Sequence, residues 1–275
     1  MYGNATLASN GKSVAVSVTD VAAQNTDVWT YDLEHGNAKR ITFDPAQDTV
    51  PIWSPDATEL VFSSNRQSAS NSQSNNILYM KNSDGKQEEK PIVYGAGANN
   101  YANDWSRDGK YILFARDADL WFATIPDLKS TLFLKAISLI RNGQFSPDGK
   151  WVAYASNETE KWEIYVTSFP EPRSKWQVST TGGEQPRWRG DGKELFYLSS
   201  DRKMMAVPLK IESTFNSGTP VALFQTTPRP AVSLNDLFVY DVSRDGQRFL
   251  INTETKPAAT APMSIILNWP AKLNK

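Results

Sequence analysis

Along this chain, short apolar runs alternate with polar corners, and one such unit returns six times. Its clearest form is Trp53-Ser54-Pro55-Asp56-Ala57-Thr58-Glu59-Leu60-Val61-Phe62: an aromatic residue, a tight corner and an apolar run. The same order of residue types stands at Trp105–Phe114, Phe145–Tyr154, Trp188–Tyr197 and Val242–Ile251, with a worn copy at Leu7–Val16. The units begin at positions 7, 53, 105, 145, 188 and 242, so their spacings are 46, 52, 40, 43 and 54. Apolar or alternating runs of this length on either side of a turn predict two strands of a hairpin. A repeat of roughly 40–50 residues built from short strands predicts propeller blades.

The corner has a local physical basis. Pro sets φ at the first corner position, Asp or Asn bonds the backbone two residues on, and Gly takes positive φ without steric cost. An acidic residue recurs at this corner in five copies, with Asn10 in the sixth, so these carboxylates read as turn formers rather than catalytic acids. Ala57 stands where other copies carry Gly, so this corner is expected to be strained or of another type.

The pattern predicts an all-β, six-bladed propeller forming a single domain over residues 1–275. Its blades span approximately 1–43, 44–96, 97–135, 136–181, 182–234 and 235–275. Third strands are expected at Asp27–Tyr31, Asn76–Met80, Asp119–Ala123, Glu163–Thr167 and Met204–Val207, each followed by a fourth. The last blade offers only three, near Phe238–Val242, Arg248–Asn252 and Met263–Trp269. An incomplete last blade, or a place in a seven-bladed ring, is the alternative. Its open edge is a site for weak self-association. The polar stretch Ser64–Asn75 is long for a hairpin and reads as a surface loop or a flap over one mouth.

Composition narrows the functional classes. A net charge of −1 gives no electrostatic footprint for nucleic acid. No 18-residue apolar run exists, so no direct membrane insertion through a helix is expected. The start, Met1–Thr6, lacks the basic end and apolar run of a signal peptide. With no Cys, disulfides and thiolate metal sites are ruled out. The single His, His35, lies in a turn-forming stretch and is expected to be solvated. No Gly-x-Ser-x-Gly elbow and no kinase motif set is found; Gly95-Ala96-Gly97 lacks the third Gly of a nucleotide loop.

The Ser-Pro-Asp-Gly-Lys corners resemble the TolB-type β-propeller repeats over nearly the whole chain. The stretch Gly182–Tyr197, with Lys175–Ser179, Asp245–Leu250 and Ile266–Trp269, resembles more narrowly the propeller domains at the C-terminal end of some bacterial, acidobacterial-type serine/threonine kinases and sensor proteins. The kinase itself has no counterpart here. The resemblance implies a WD40-like sensing or scaffolding domain that binds a protein partner or a small ligand. It favours an extracytoplasmic, periplasmic setting.

Propeller sites lie at the channel mouths. The residues four before each corner Asp or Asn are Thr6, Ile52, Asp104, Gln144, Arg187 and Asp241. Those three before it are Leu7, Trp53, Trp105, Phe145, Trp188 and Val242, which read as core. Alternation sends the two columns to opposite faces. Charges at Asp104, Arg187 and Asp241 must be paired if buried, or they line a polar channel for a small ligand or cation. A rim is added by Asp48, Thr49, Asn100, Tyr101, Arg141, Glu184 and Phe238, with Arg66, Arg116 and Asn157. No catalytic residue and no cofactor is expected. The alternatives are a Ca²⁺ site on Asp104 and Asp241, or a channel enzyme such as a polysaccharide lyase or a metal-dependent hydrolase.

Overall fold

A computed structural model describes residues 1–66, 76–93, 98–211, 214–229, 238–253 and 264–266. The expectations for the flap within Ser64–Asn75, for Gly95-Ala96-Gly97 and for the segment after Ile266 fall wholly or mostly outside them.

The corners behave as their residue types dictate. The Ser54 hydroxyl donates to Asp56 Oδ1 (2.6 Å), which also accepts the Thr58 amide (3.1 Å), while Ser54 Oγ accepts the Glu59 amide (2.9 Å). Ser106 with Asp108, Ser146 with Asp148 and Ser243 with Asp245 repeat the set. Hydrogen bonds from the Ser54 and Ser243 hydroxyls, then from backbone amides, hold the Asp56 and Asp245 carboxyls below their ordinary range. Gly109, Gly149, Gly192 and Gly246 follow with positive φ, and Ala57 adopts the same turn at φ 61°. The corner thus keeps its type and strains the alanine.

Each corner joins the first two strands of a sheet. The first sheet is a meander of Tyr2–Leu7, Ser13–Asp20, Asn25–Asp32 and Ala38–Arg40. The next three sheets repeat this order, opening with Asp48–Trp53, Asn100–Trp105 and Ile140–Phe145. The fifth opens with Glu184–Trp188 and the sixth with Tyr240–Val242. No helix occurs among the described residues. The opening strands contact one another in a circuit that returns from the sixth sheet to the first. At that return the Leu7 amide donates to Asp241 Oδ2 (2.7 Å), the Phe238 amide to Asn4 Oδ1 (2.9 Å) and Asn252 Nδ2 to the Tyr2 carbonyl (2.9 Å). This is an all-β propeller fold.

Core lies between neighbouring sheets. Trp151, Ile164, Val166, Trp188, Leu195 and Phe215 fill the space between the fourth and fifth. Between the third and fourth, Phe169 stands 4.9 Å from the ring of Phe145, 5.0 Å from those of Tyr111 and Phe122 and 5.3 Å from that of Phe133.

Three features depart from the sequence reading. The third strand of the fifth sheet runs over Lys203–Ile211, past Pro208, where a strand is expected to stop. It pairs with both Phe215–Ser217 and Val221–Gln225. The sixth sheet has shorter opening strands than expected, Tyr240–Val242 and Phe249–Ile251, with Ser264–Ile266 as the third. Most consequential, the inner strands do not alternate without interruption. One extra residue shifts the register between Thr49 and Ile52, between Arg141 and Gln144 and between Glu184 and Arg187. Val50, Asn142 and Gln185 take positive φ there. Such bulges reverse the facing of everything upstream of them. Neighbouring blades hold them in place: the Val50 amide donates to Ser17 Oγ (3.2 Å) and the Gly143 amide to Asn103 Oδ1 (2.7 Å).

Candidate functional site

The four-back column converges. Thr6, Ile52, Asp104, Gln144, Arg187 and Asp241 all line one cavity of about 290 Å³ at the corner end of the channel. Each inner strand delivers one residue, and the hydrogen bonds between strands are systematic. Asp104 Oδ2 accepts the Phe145 amide of the next blade (2.8 Å), as Asp241 Oδ2 accepts that of Leu7. Thr6 Oγ1 donates to the Pro51 carbonyl (2.9 Å), and Gln144 Nε2 donates to the Asn103 carbonyl (2.9 Å). The aromatic column is not wholly separate: Trp53, Trp105 and Trp188 also border the cavity. Trp53 Nε1 donates to the Thr6 carbonyl and Trp188 Nε1 to the Gln144 carbonyl, both at 3.1 Å.

Arg187 lies at the base. Its guanidinium carbon stands 3.9 Å above the Phe238 ring, and Nε is 3.1 Å from Asp241 Oδ1. The side chain is only 7% exposed. Nη2 finds no hydrogen-bond acceptor among the described residues, and the contact of Nε with Asp241 lacks hydrogen-bond alignment. Val50, Tyr101 and Phe238, from three different parts of the chain, pack into a small apolar cluster on which the Arg187 guanidinium rests through the Phe238 ring. Burial pushes the Asp104 carboxyl up to about 7, against the amide of Phe145 and the charge of Arg187, which pull it down.

The other candidates form separate clusters at the opposite end, and they satisfy one another. Arg66 Nη2 donates to both oxygens of buried Asp48 (3.0 Å each), with Glu89 at 3.6 Å and the Tyr79 ring at 4.3 Å. Burial raises the Asp48 carboxyl to about 6 in spite of Arg66. Arg141 pairs with Glu184 and stacks 3.8 Å above Trp162. Arg116 donates to Asn100 Oδ1 (2.8 Å), and Asn157 Oδ1 accepts the Ser138 hydroxyl and the Leu139 amide. Phe238 is buried in the apolar cluster with Val50, and partly buried Tyr101 packs against it. His35 is exposed, with Nδ1 2.8 Å from Asp32 Oδ2. Among the described residues no three His, Cys, Asp or Glu side chains gather in a way that would hold a metal.

Two cavity residues went unread in the sequence. Arg107 and Arg244 occupy the corner position held by Pro55 and Pro147 elsewhere, and both border the opening. The signal was present: Asp104-Trp105-Ser106-Arg107-Asp108-Gly109 and Asp241-Val242-Ser243-Arg244-Asp245-Gly246 are the only two units with Asp four back and Arg at the corner. They belong to the third and sixth sheets, three steps apart either way around the circuit. Arg107 Nη1 donates across the opening to the Gly190 carbonyl (2.7 Å), and the Gly190 amide donates to the Arg244 carbonyl (2.9 Å). Burial and the charge of Arg244 lower the pKa of Arg107.

No family model and no curated protein matches this chain. Solved structures do. TolB from Acinetobacter baumannii superposes with a TM-score of 0.69 at 17% identity, over 90% of this chain and 59% of that one. A TolB-like protein from Agrobacterium tumefaciens gives 0.67 at 15% identity, over 82% and 80%. An oligogalacturonate lyase from Vibrio parahaemolyticus gives 0.62 at 11% identity, over 96% and 74%. The chain therefore spans well under two thirds of the Acinetobacter protein. At these identities the likeness defines the class by fold alone: a TolB-like β-propeller.

Proposed function

We propose that this chain is a non-enzymatic, six-bladed binding propeller. It holds a small ligand or a segment of a protein partner at the cavity edged by Asp104, Arg187 and Asp241. The observation that carries the reading is Arg187, a buried guanidinium among the cavity-lining side chains, whose Nη2 has no acceptor among the described residues. An unsatisfied buried donor costs about 1–3 kcal/mol, more when charged, and a bound acceptor would recover it. The resemblance to propellers of bacterial kinases and sensors adds a sensing role in an extracytoplasmic setting. The fold itself implies no function.

A thermal-shift screen of the purified chain against sugars, peptidoglycan fragments, short peptides, Ca²⁺ and Mn²⁺ tests this, because a ligand that binds only the native state raises Tm. The expected result is a reproducible shift that Arg187→Gln removes in a folded protein. A shift with Ca²⁺ or Mn²⁺ that Asp104→Asn abolishes would turn the cavity into a cation site. The rival enzyme reading draws on the fold shared with an oligogalacturonate lyase. Unsaturated product released from oligogalacturonate by this chain would favour it over simple binding.

A further inference from the structure

The binding reading can be taken further, to the chemistry of the ligand. We infer that the corner-end cavity takes its ligand through a single carboxylate group, with Arg107 and Arg244 at the rim and Arg187 at the base as the anion-holding side chains. This rests on the reading that the cavity binds at all.

Three observations converge on it. The first is the unpaired Nη2 of Arg187, buried at the cavity base. Its Nε stands 3.1 Å from Asp241, while Nη2, closed to water in the free chain, has no acceptor among the described residues and gains one if a carboxylate oxygen reaches it as the ligand enters. The second is the rim. Arg107 and Arg244 are exposed, both border the opening, and neither forms an ion pair with a carboxylate among the described residues. Two cations facing one opening are stabilised by an anion drawn between them. The third is the charge count. Three arginines and two aspartates border the cavity, which leaves one net positive charge above pH 7, where both carboxylates are ionised. A monoanion neutralises that count. A phosphate dianion would overshoot it and meet Asp104 and Asp241. The indoles of Trp53 and Trp105 offer the apolar body of such a ligand a wall beside the charged base.

Free organic acids and the C-terminal carboxylate of a peptide share this chemistry, and the test separates them. Isothermal titration at pH 8.5, where Asp104 is ionised, and low ionic strength would compare benzoate with benzamide, its neutral isostere, and a Gly-Gly-Phe peptide acid with its C-terminal amide. Phosphate serves as the dianion control. The expected result is binding of the acid forms with at least a tenfold preference over the amides. Preference for benzoate assigns a free acid, and preference for the peptide acid assigns a chain end. Arg107→Gln and Arg244→Gln, exposed and expected to fold, should each weaken acid binding three- to tenfold. Arg187→Gln should abolish it, and if that variant does not fold the rim pair decides alone. Equal binding of acid and amide, tighter binding of phosphate, or acid binding untouched by both rim substitutions overturns the carboxylate assignment. In those cases the binding reading survives where Arg187→Gln, in a folded protein, still removes the binding. If no probe binds here and the broad screen yields no shift sensitive to Arg187, the binding reading itself fails.

Discussion

Asp104 offers the sharpest test of the cavity's electrostatics. Its carboxyl titrates near pH 7 in the folded chain because burial disfavours the ionised form, against about 3.9 when unfolded. The folded state therefore holds the proton to higher pH. Below pH 4 both states are protonated and the group contributes nothing. Between pH 4 and 7 only the unfolded state gives up its proton, so stability falls as pH rises, by about 1.4 kcal/mol per unit. Above pH 7 the loss is complete, with a ceiling of roughly 4 kcal/mol from three units of separation. In Asp104→Asn the amide oxygen can still accept the Phe145 amide, now at 2.8 Å from Oδ2, with no charge to bury. The variant should match the wild type near pH 4.5 and exceed it by roughly 1–3 kcal/mol at pH 8.5, partial contact with cavity water keeping it under the ceiling. Asp48, raised to about 6, adds a loss of the same sign in both proteins, so the difference between them isolates Asp104. Urea unfolding of both from pH 4.5 to 8.5 measures this. A difference that stays flat across the range, or a wild type more stable than the variant at pH 8.5, refutes the reasoning.

Two further outcomes follow from packing and backbone geometry. Ala57→Gly should raise stability by about 0.5–1 kcal/mol: relief of about 1–2 kcal/mol of left-handed strain is partly offset by the larger unfolded-state entropy of glycine; an unchanged or lower Tm would mean that the corner is not strained. Phe169→Ala removes a ring that touches four others between the third and fourth sheets and should cost about 3–5 kcal/mol, read as a lowered urea midpoint with unchanged slope; a cost under 1 kcal/mol would show that the gap collapses without loss.

What could be read along the chain was whatever neighbouring residues decide between themselves. Ser54, Asp56 and the amides of Thr58 and Glu59 form their corner within six residues, so the local sequence announced it, and the same serine and aspartate recur three more times at related spacings. Strand positions followed from the same local logic, and so did the convergence of the four-back column, which needs only one strand per blade and a ring. The rest depended on closure. Leu7 meets Asp241 across 234 residues, and Arg107 meets Gly190 across 83; no local pattern encodes such pairings. Bulges at Val50, Asn142 and Gln185 are held by side chains of neighbouring blades, so alternation read along one strand does not give the facing of the residues upstream of them. Asp48 with Arg66, and Arg141 with Glu184, satisfy one another three or four residues before the cavity-lining column, at the other end of their strands. Whether Arg187 would be fully paired or left with an unmatched donor was settled only when the inner strands of different sheets met around the channel. Pairing of a buried charge depends on which groups lie within about 4 Å, and here every such neighbour comes from another part of the chain.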